Sequence, residues 1–266
     1  MLDLEFFQLS DPGLQREHNE DSLGYFAPST PEDARSRGWL FVLADGVGGQ
    51  DRGEVASRIA VETLIDGFCK SSKNDALTTV LPKLVQSANS KVYETAVSFA
   101  QGGSNMATTM VACALRYDRA IVAHAGDSRC YLVRQGYAAS VTRDHTISAE
   151  QLRMGLITAG EASASRAGHI LSRSLGGHMF LNVETSEHQI FAGDVLLQCS
   201  DGLHHSLRPE EIARLTSGGV PLDEAAVELI HLAKERDGSD NISVQLVRVK
   251  SVERVGMYRG RHYKLH

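Results

Sequence analysis

Trp39-Leu40-Phe41-Val42-Leu43-Ala44 runs into Asp45-Gly46-Val47-Gly48-Gly49. A short apolar run stopped by an acid and glycines reads as a buried strand ending in a tight loop. The pattern recurs where Val195-Leu196-Leu197-Gln198-Cys199-Ser200 meets Asp201-Gly202. Further acids sit in Asn19-Glu20-Asp21, in Gly126-Asp127-Ser128-Arg129 between two strands, and in Gly238-Ser239-Asp240-Asn241 before the last strand. Carboxylates are hard oxygen ligands suited to Mg²⁺ or Mn²⁺. A glycine after the aspartate lets the backbone approach an ion closely. A lone Asp-Gly is more simply a hairpin turn. Together these acids form a metal cage only if they converge in space, which spacing alone leaves open. Arg16, just ahead of Asp21, is either a bidentate grip on a phosphoryl group or an ordinary surface ion pair.

Working outward, apolar runs predict further strands over Met110 to Leu115, Ile121 to Ala125, Cys130 to Val133 and Ile242 to Val249. Helical spacing links Val55, Ile59, Ala60, Leu64 and Phe68. It also links Leu77, Leu81, Leu84, Val85, Ala88, Val92, Ala96 and Phe99. Another helix is expected from Leu222 to Lys234, and a short one after Leu207 with Pro209 in its first turn. Ser71 to Asp75 is a loop. The order of strands, a helix pair, many strands, a helix and a strand lacks the regular alternation of a parallel α/β sheet. It points to an α+β fold of antiparallel sheets covered by helices.

The chain has 266 residues, 42% of them hydrophobic, enough for a sizeable core. Its net charge of −6 argues against nucleic acid as a partner, because such affinity comes from a basic surface. An acidic protein acting on phosphate needs a local positive charge, and metal ions supply one. Cys69, Cys113, Cys130 and Cys199 show no CxxC spacing and read as buried free thiols. The acidic N-terminus is unlike a signal peptide, and no apolar run is long enough to span a membrane. A soluble, cytoplasmic protein is expected. There is no Walker loop and no nucleophile elbow. Cys199 is followed by Ser-Asp rather than a basic loop, and the His204-His205 pair reads as surface or supporting rather than zinc-binding.

The acidic motifs are joined by Asp11-Pro12-Gly13, Ala107-Thr108-Thr109, His124-Ala125-Gly126-Asp127-Ser128-Arg129, Arg143-Asp144-His145, Ser172-Arg173-Ser174-Leu175-Gly176 and Asp240-Asn241-Ile242-Ser243. In this order they resemble the metal-dependent protein phosphatases of the type 2C class, particularly the bacterial members. The resemblance runs from about residue 5 to residue 249. It implies two central antiparallel β-sheets flanked by antiparallel helix pairs, in a phosphatase domain over residues 1–250 with a basic, solvated tail over 251–266. By resemblance, Asp45 bridges two Mn²⁺ or Mg²⁺ ions and the Gly46 carbonyl is a direct ligand. Asp201 and Asp240 hold the first metal, Glu20 and Asp21 attend the second partly through water, and Asp127 holds a third, weaker ion. Arg16 is the phosphate clamp.

The implied activity is hydrolysis of phosphoserine and phosphothreonine by a metal-bridging hydroxide, with phosphorylated proteins as substrates and opposition to a bacterial-type serine/threonine kinase. Two cations hold hydroxide near neutral pH, and Arg16 helps neutralise the phosphoryl oxygens. Some relatives carry a histidine after Asp-Gly as general acid. Val47 stands there in this chain, so the leaving-group proton must come from elsewhere, such as metal-bound water. Thr146 to Gly168 matches the family's variable flap and is expected to be mobile and to gate substrates. Two other readings stay open: a non-catalytic binding module, disfavoured by the retained Asp45, Asp201 and Asp240, and a hydrolase of small phosphoesters.

Overall fold

The computed structural model describes residues 1–47, 52–99, 106–165, 168, 170–258 and 261–264. Gly48 and Gly49 of the first acidic loop, part of the 146–168 flap and part of the tail lie outside the described residues. Two five-stranded antiparallel sheets form the centre. One has the order β1 (Asp3–Asp11), β10 (Ile242–Ser251), β9 (Val195–Cys199), β6 (Arg129–Arg134), β7 (Tyr137–Ser140). The other has the order β2 (Asp21–Phe26), β3 (Trp39–Asp45), β4 (Met110–Arg116), β5 (Arg119–Ala125), β8 (Glu184–Gln189).

Alternation along the strands assigns each face. In β3, Leu40, Val42 and Ala44 face α2 (Gly53–Lys70) and α3 (Leu77–Phe99), while Phe41 and Leu43 meet the opposite sheet. In β9, Val195, Leu197 and Cys199 pack under α7 (Pro209–Thr216) and α8 (Leu222–Arg236), and Leu196 faces the sheet interface. Three apolar layers result: helix on sheet, sheet on sheet, and sheet on helix. Both faces of each sheet are covered. This explains why the central strands read as continuous apolar runs rather than as an alternating pattern.

The expected fold class is the observed one, and each strand and helix expected above is present within a few residues. The structure adds β1 and β2, whose partly exposed, mixed composition hides them in sequence, and the edge strands β7 and β8. It also adds α1 (Pro31–Ser36), α4 (Ile147–Arg153), α5 (Ala159–Ala164) and α6 (Asp201–His204). Two expectations need correction. Cys69 is exposed, on the outer face of α2 one residue before its end; only Cys113, Cys130 and Cys199 are buried. The segment after Ser251 is not wholly the solvated tail expected. Buried Glu253 pairs with Arg35 at 3.0 Å, and β11 (Val255–Tyr258) and β12 (Arg261–Lys264) form a two-stranded hairpin.

Candidate active site

The acids at the strand ends converge because the two sheets present their loops at one edge. Arg16, Asp45, Gly46, Asp127, Asp201 and Asp240 all line one cavity of about 940 Å³. Val47, Gly202 and His205 line it as well. Glu20 and Asp21 are not part of this lining.

Asp45 is held through its backbone at the end of β3. Its N–H donates to Thr109 Oγ1 at 3.1 Å, and its carbonyl accepts from Thr109 N–H and Thr108 Oγ1, each at 2.8 Å. The Ala107-Thr108-Thr109 motif therefore serves as a backbone clamp. Gly46 lies against the start of α2, and a Cβ there would be 2.5 Å from the Gly53 backbone and 2.8 Å from the Glu20 carbonyl. Only glycine fits this packing.

Asp21 pairs with Asp45 across β2 and β3. The residue as a whole is partly exposed, but both its carboxylate oxygens are buried and without a hydrogen-bond partner. The Ser243 and Ser200 hydroxyls stand near enough to lower its pKa as hydrogen-bond donors, although neither makes a geometrically complete bond to an Asp21 oxygen; Ser243 pairs with Ser10, and Ser200 donates to the Asn241 carbonyl. Burial, with Asp201 and Asp240, pushes the Asp21 carboxyl up to about 7. Asp45 is pushed well above the carboxylate range by burial and by Asp21, Asp201, Asp127 and Asp240. Burial and the neighbouring Asp201 and Asp144 bring Asp127 up to about 7. Glu20 is also raised, by burial against the opposing pull of Arg16. Mutually repelling, desolvated carboxylates are held together at a cost that positive charge relieves.

Arg16 reaches Asp240 Oδ2 at 2.9 Å. Burial opposes its charge, but Asp240, Glu20 and Asp201 outweigh that and raise its pKa. Asn241 organises this side of the cavity. Its Nδ2 donates to the Pro12 and His18 carbonyls at 3.0 Å each, and its Oδ1 accepts from Glu20 N–H at 2.8 Å. The loop carrying Arg16 and Glu20 is thus strapped to the start of β10. In sequence, only its adjacency to Asp240 marks Asn241, and adjacency does not reveal this strapping role. His204 is buried and its Nε2 lies 2.9 Å from the Asp127 carbonyl, while His205 Nδ1 is 3.7 Å from Asp201 Oδ2. His204 is no surface residue and supports Asp127 from behind, whereas His205 shares the cavity lining with Asp201.

Residues 16–246 match the family described as Protein phosphatase 2C. The chain belongs to that family. A serine/threonine phosphatase of Listeria innocua is 32% identical over 258 residues, spanning 95% of this chain and 96% of that protein. The Streptococcus agalactiae serine/threonine phosphatase structure superposes with a TM-score of 0.82 at 30% identity, covering 93% of this chain and all of that one. The catalytic domain of the serine/threonine protein phosphatase PstP, solved with two manganese ions, gives 0.78 at 32% identity over 94% of this chain and 99% of that one. In this phosphatase 2C chain the cavity of convergent acids lies inside the family-matched region.

Proposed function

We propose that Asp45, the Gly46 carbonyl, Asp201 and Asp240 hold the principal metal ions of a protein serine/threonine phosphatase, with Glu20 and Asp21 beside the second ion and Asp127 at a third. The enzyme is a metal-dependent protein serine/threonine phosphatase using Mn²⁺ or Mg²⁺, and phosphorylated proteins are its substrates. The observation that carries the site assignment is the pair of buried, unpartnered Asp21 oxygens directly behind Asp45, in a cluster whose members raise one another's pKa. An all-oxygen donor set of this kind suits a hard divalent cation.

When bound, the ions supply Lewis acidity and an activated water at the phosphoryl group. The chain's own residues do the rest. Thr108 and Thr109 fix the Asp45 backbone, so the carboxylate need not reorganise during reaction. Arg16 lines the same cavity and offers a guanidinium fork to the phosphoryl oxygens; Asp240 orients it at rest. Val47 places an apolar side chain in the lining and has no proton to give. The leaving oxygen must therefore be protonated from elsewhere, and Asp127 borders the same cavity.

Opposition to a serine/threonine kinase fits this chemistry. Among the described residues no helix is long and apolar enough to cross a membrane. The deciding experiment is turnover of phosphothreonine, phosphoserine and phosphotyrosine peptides and of a small phosphoester, with Mn²⁺, with Mg²⁺ and with chelator. Metal-dependent release of phosphate from phosphothreonine and phosphoserine peptides is expected. Turnover confined to the small ester, or undiminished in chelator, would refute the reading.

A further inference from the structure

Beside the acidic cavity lies a second cluster of potential ligands. His124, His145 and Glu184 bring donor atoms within 4.8 Å of one another. Such a spacing would suit a transition metal, but the rings are not set to bind one. His145 Nδ1 accepts the Gly126 N–H at 3.2 Å, so that nitrogen is already taken. Its Nε2 faces Glu184 Oε2 at 3.3 Å, so an ion there would have to displace that contact. The two imidazoles stack at 4.6 Å with planes 7° apart, so their in-plane lone pairs cannot converge on one point. Arg173 Nη1 already stands 3.1 Å from His145 Nε2, putting a fixed cation at that edge. Burial, His124 and Arg173 push the His145 pKa down to about 4, which keeps the ring neutral.

The same contacts make His145 a bracket. Its backbone N–H donates to the Gly126 carbonyl at 3.0 Å while its ring accepts from the Gly126 N–H, so one residue holds both polar groups of Gly126. Gly126 adopts φ +113, and a Cβ there would be 2.5 Å from Thr109 Cβ. The turn thus presses on the threonine that clamps Asp45. The residue after Gly126 is Asp127. On its other side, the His145 carbonyl accepts from Ser172 N–H at 2.8 Å, and Thr146 bridges Leu171, closing the base of the intervening segment.

We propose that His145 is a positioning residue for the reaction: it fixes the Gly126 turn and so aims the Asp127 carboxylate into the cavity. The proposal rests on Asp127 taking part in catalysis, and a double-mutant cycle separates the two claims. The test measures kcat on a phosphothreonine peptide with saturating Mn²⁺ for the wild type, Asp127→Ala, His145→Ala and the double variant. His145→Ala should lose roughly five- to tenfold in the wild-type background, the size of a lost buried hydrogen bond, and almost nothing further in Asp127→Ala. His145→Asn, whose Oδ1 falls where Nδ1 stood, should keep most of the activity. His145→Gln, whose polar end falls near the Nε2 position, should not. A merely structural role would lower the melting temperature in both backgrounds and the rate equally in both. Equal fold-losses, or rescue by Gln as good as by Asn, would overturn the proposal and leave Asp127's role standing. Wild-type kinetics in Asp127→Ala would overturn that role and this proposal with it. If His145→Ala does not fold, the Asn–Gln contrast decides alone.

Discussion

Replacing Asp21 with asparagine should stabilise the metal-free protein while weakening catalysis. The Asp21 carboxyl rises from its ordinary 3.8 to about 7 because its oxygens are buried, with Asp201 and Asp240 repelling its charge. An acid whose pKa is raised on folding binds its proton more tightly in the native state. Between those two values the native chain holds more protons than the unfolded one, so stability falls as pH rises through the window. At about 1.4 kcal/mol per pH unit, the ionised group costs roughly 4 kcal/mol above pH 7 and nothing below its unfolded pKa. In a chain of this length that corresponds to roughly 10 °C in melting temperature.

Asparagine has the same shape without the charge, and its amide can donate to neighbouring carboxylates. In chelator at about pH 8, Asp21→Asn should melt roughly 10 °C above wild type, and the gap should close towards about pH 4. Mn²⁺ should raise the wild-type melting temperature more than the variant's, because the ion relieves repulsion that asparagine has already removed. Activity at limiting Mn²⁺ should fall roughly 10–100-fold, as for lost supporting contacts at metal sites. Calorimetry in chelator across the pH range reads the first effect. A variant that melts with the wild type and follows the same pH slope would show that Asp21 carries no buried, repelled charge.

Other outcomes follow from the same geometry. Asp45→Asn, Asp201→Asn and Asp240→Asn should each abolish phosphopeptide turnover while circular dichroism stays native; retained turnover in Asp45→Asn would dismiss the central role of that residue. Arg16→Ala should lose roughly 2–4 kcal/mol of transition-state stabilisation, read from kcat/KM, with Lys rescuing only partly for want of the bidentate fork; wild-type kinetics would leave Arg16 as no more than the partner of Asp240. Asp127→Ala should damage phosphopeptide hydrolysis more than nitrophenyl phosphate hydrolysis, since the better leaving group needs little protonation; equal losses would reject a proton-delivery role on that side of the cavity.

The parts of this fold that were legible in sequence are those whose cause is local. Leu40 to Ala44 and Val195 to Cys199 read as strands because burial on both faces demands uninterrupted apolar side chains, and the aspartates at their ends read as loop acids. Helices α2 and α3 announced themselves by period. Strands β1 and β2 did not, because they carry polar and partly exposed residues whose alternation is imperfect. Convergence of the acids was not legible from spacing, since it depends on contacts such as Arg16 to Asp240, 224 residues apart. The ordered motifs supplied it only through resemblance.

The supporting residues were harder still, for a physical reason. Asn241, His145 and Thr109 act by satisfying backbone groups of distant loops, and any polar side chain in a sequence has that capacity. What marks these three is burial combined with complete use of their hydrogen-bonding atoms, a property of the assembled structure. Asp21 is the converse case. It is buried at the carboxylate and uses neither oxygen within the chain, where polar groups of the interior normally find partners. The satisfied residues build the frame, and Asp21, among the described residues the one carboxylate with both oxygens buried and unpartnered, points to what the frame is built to hold. That division separates the cluster with metal-like spacing at His124, His145 and Glu184, whose polar atoms are taken up within the chain, from the carboxylates around Asp45 proposed as the reactive centre.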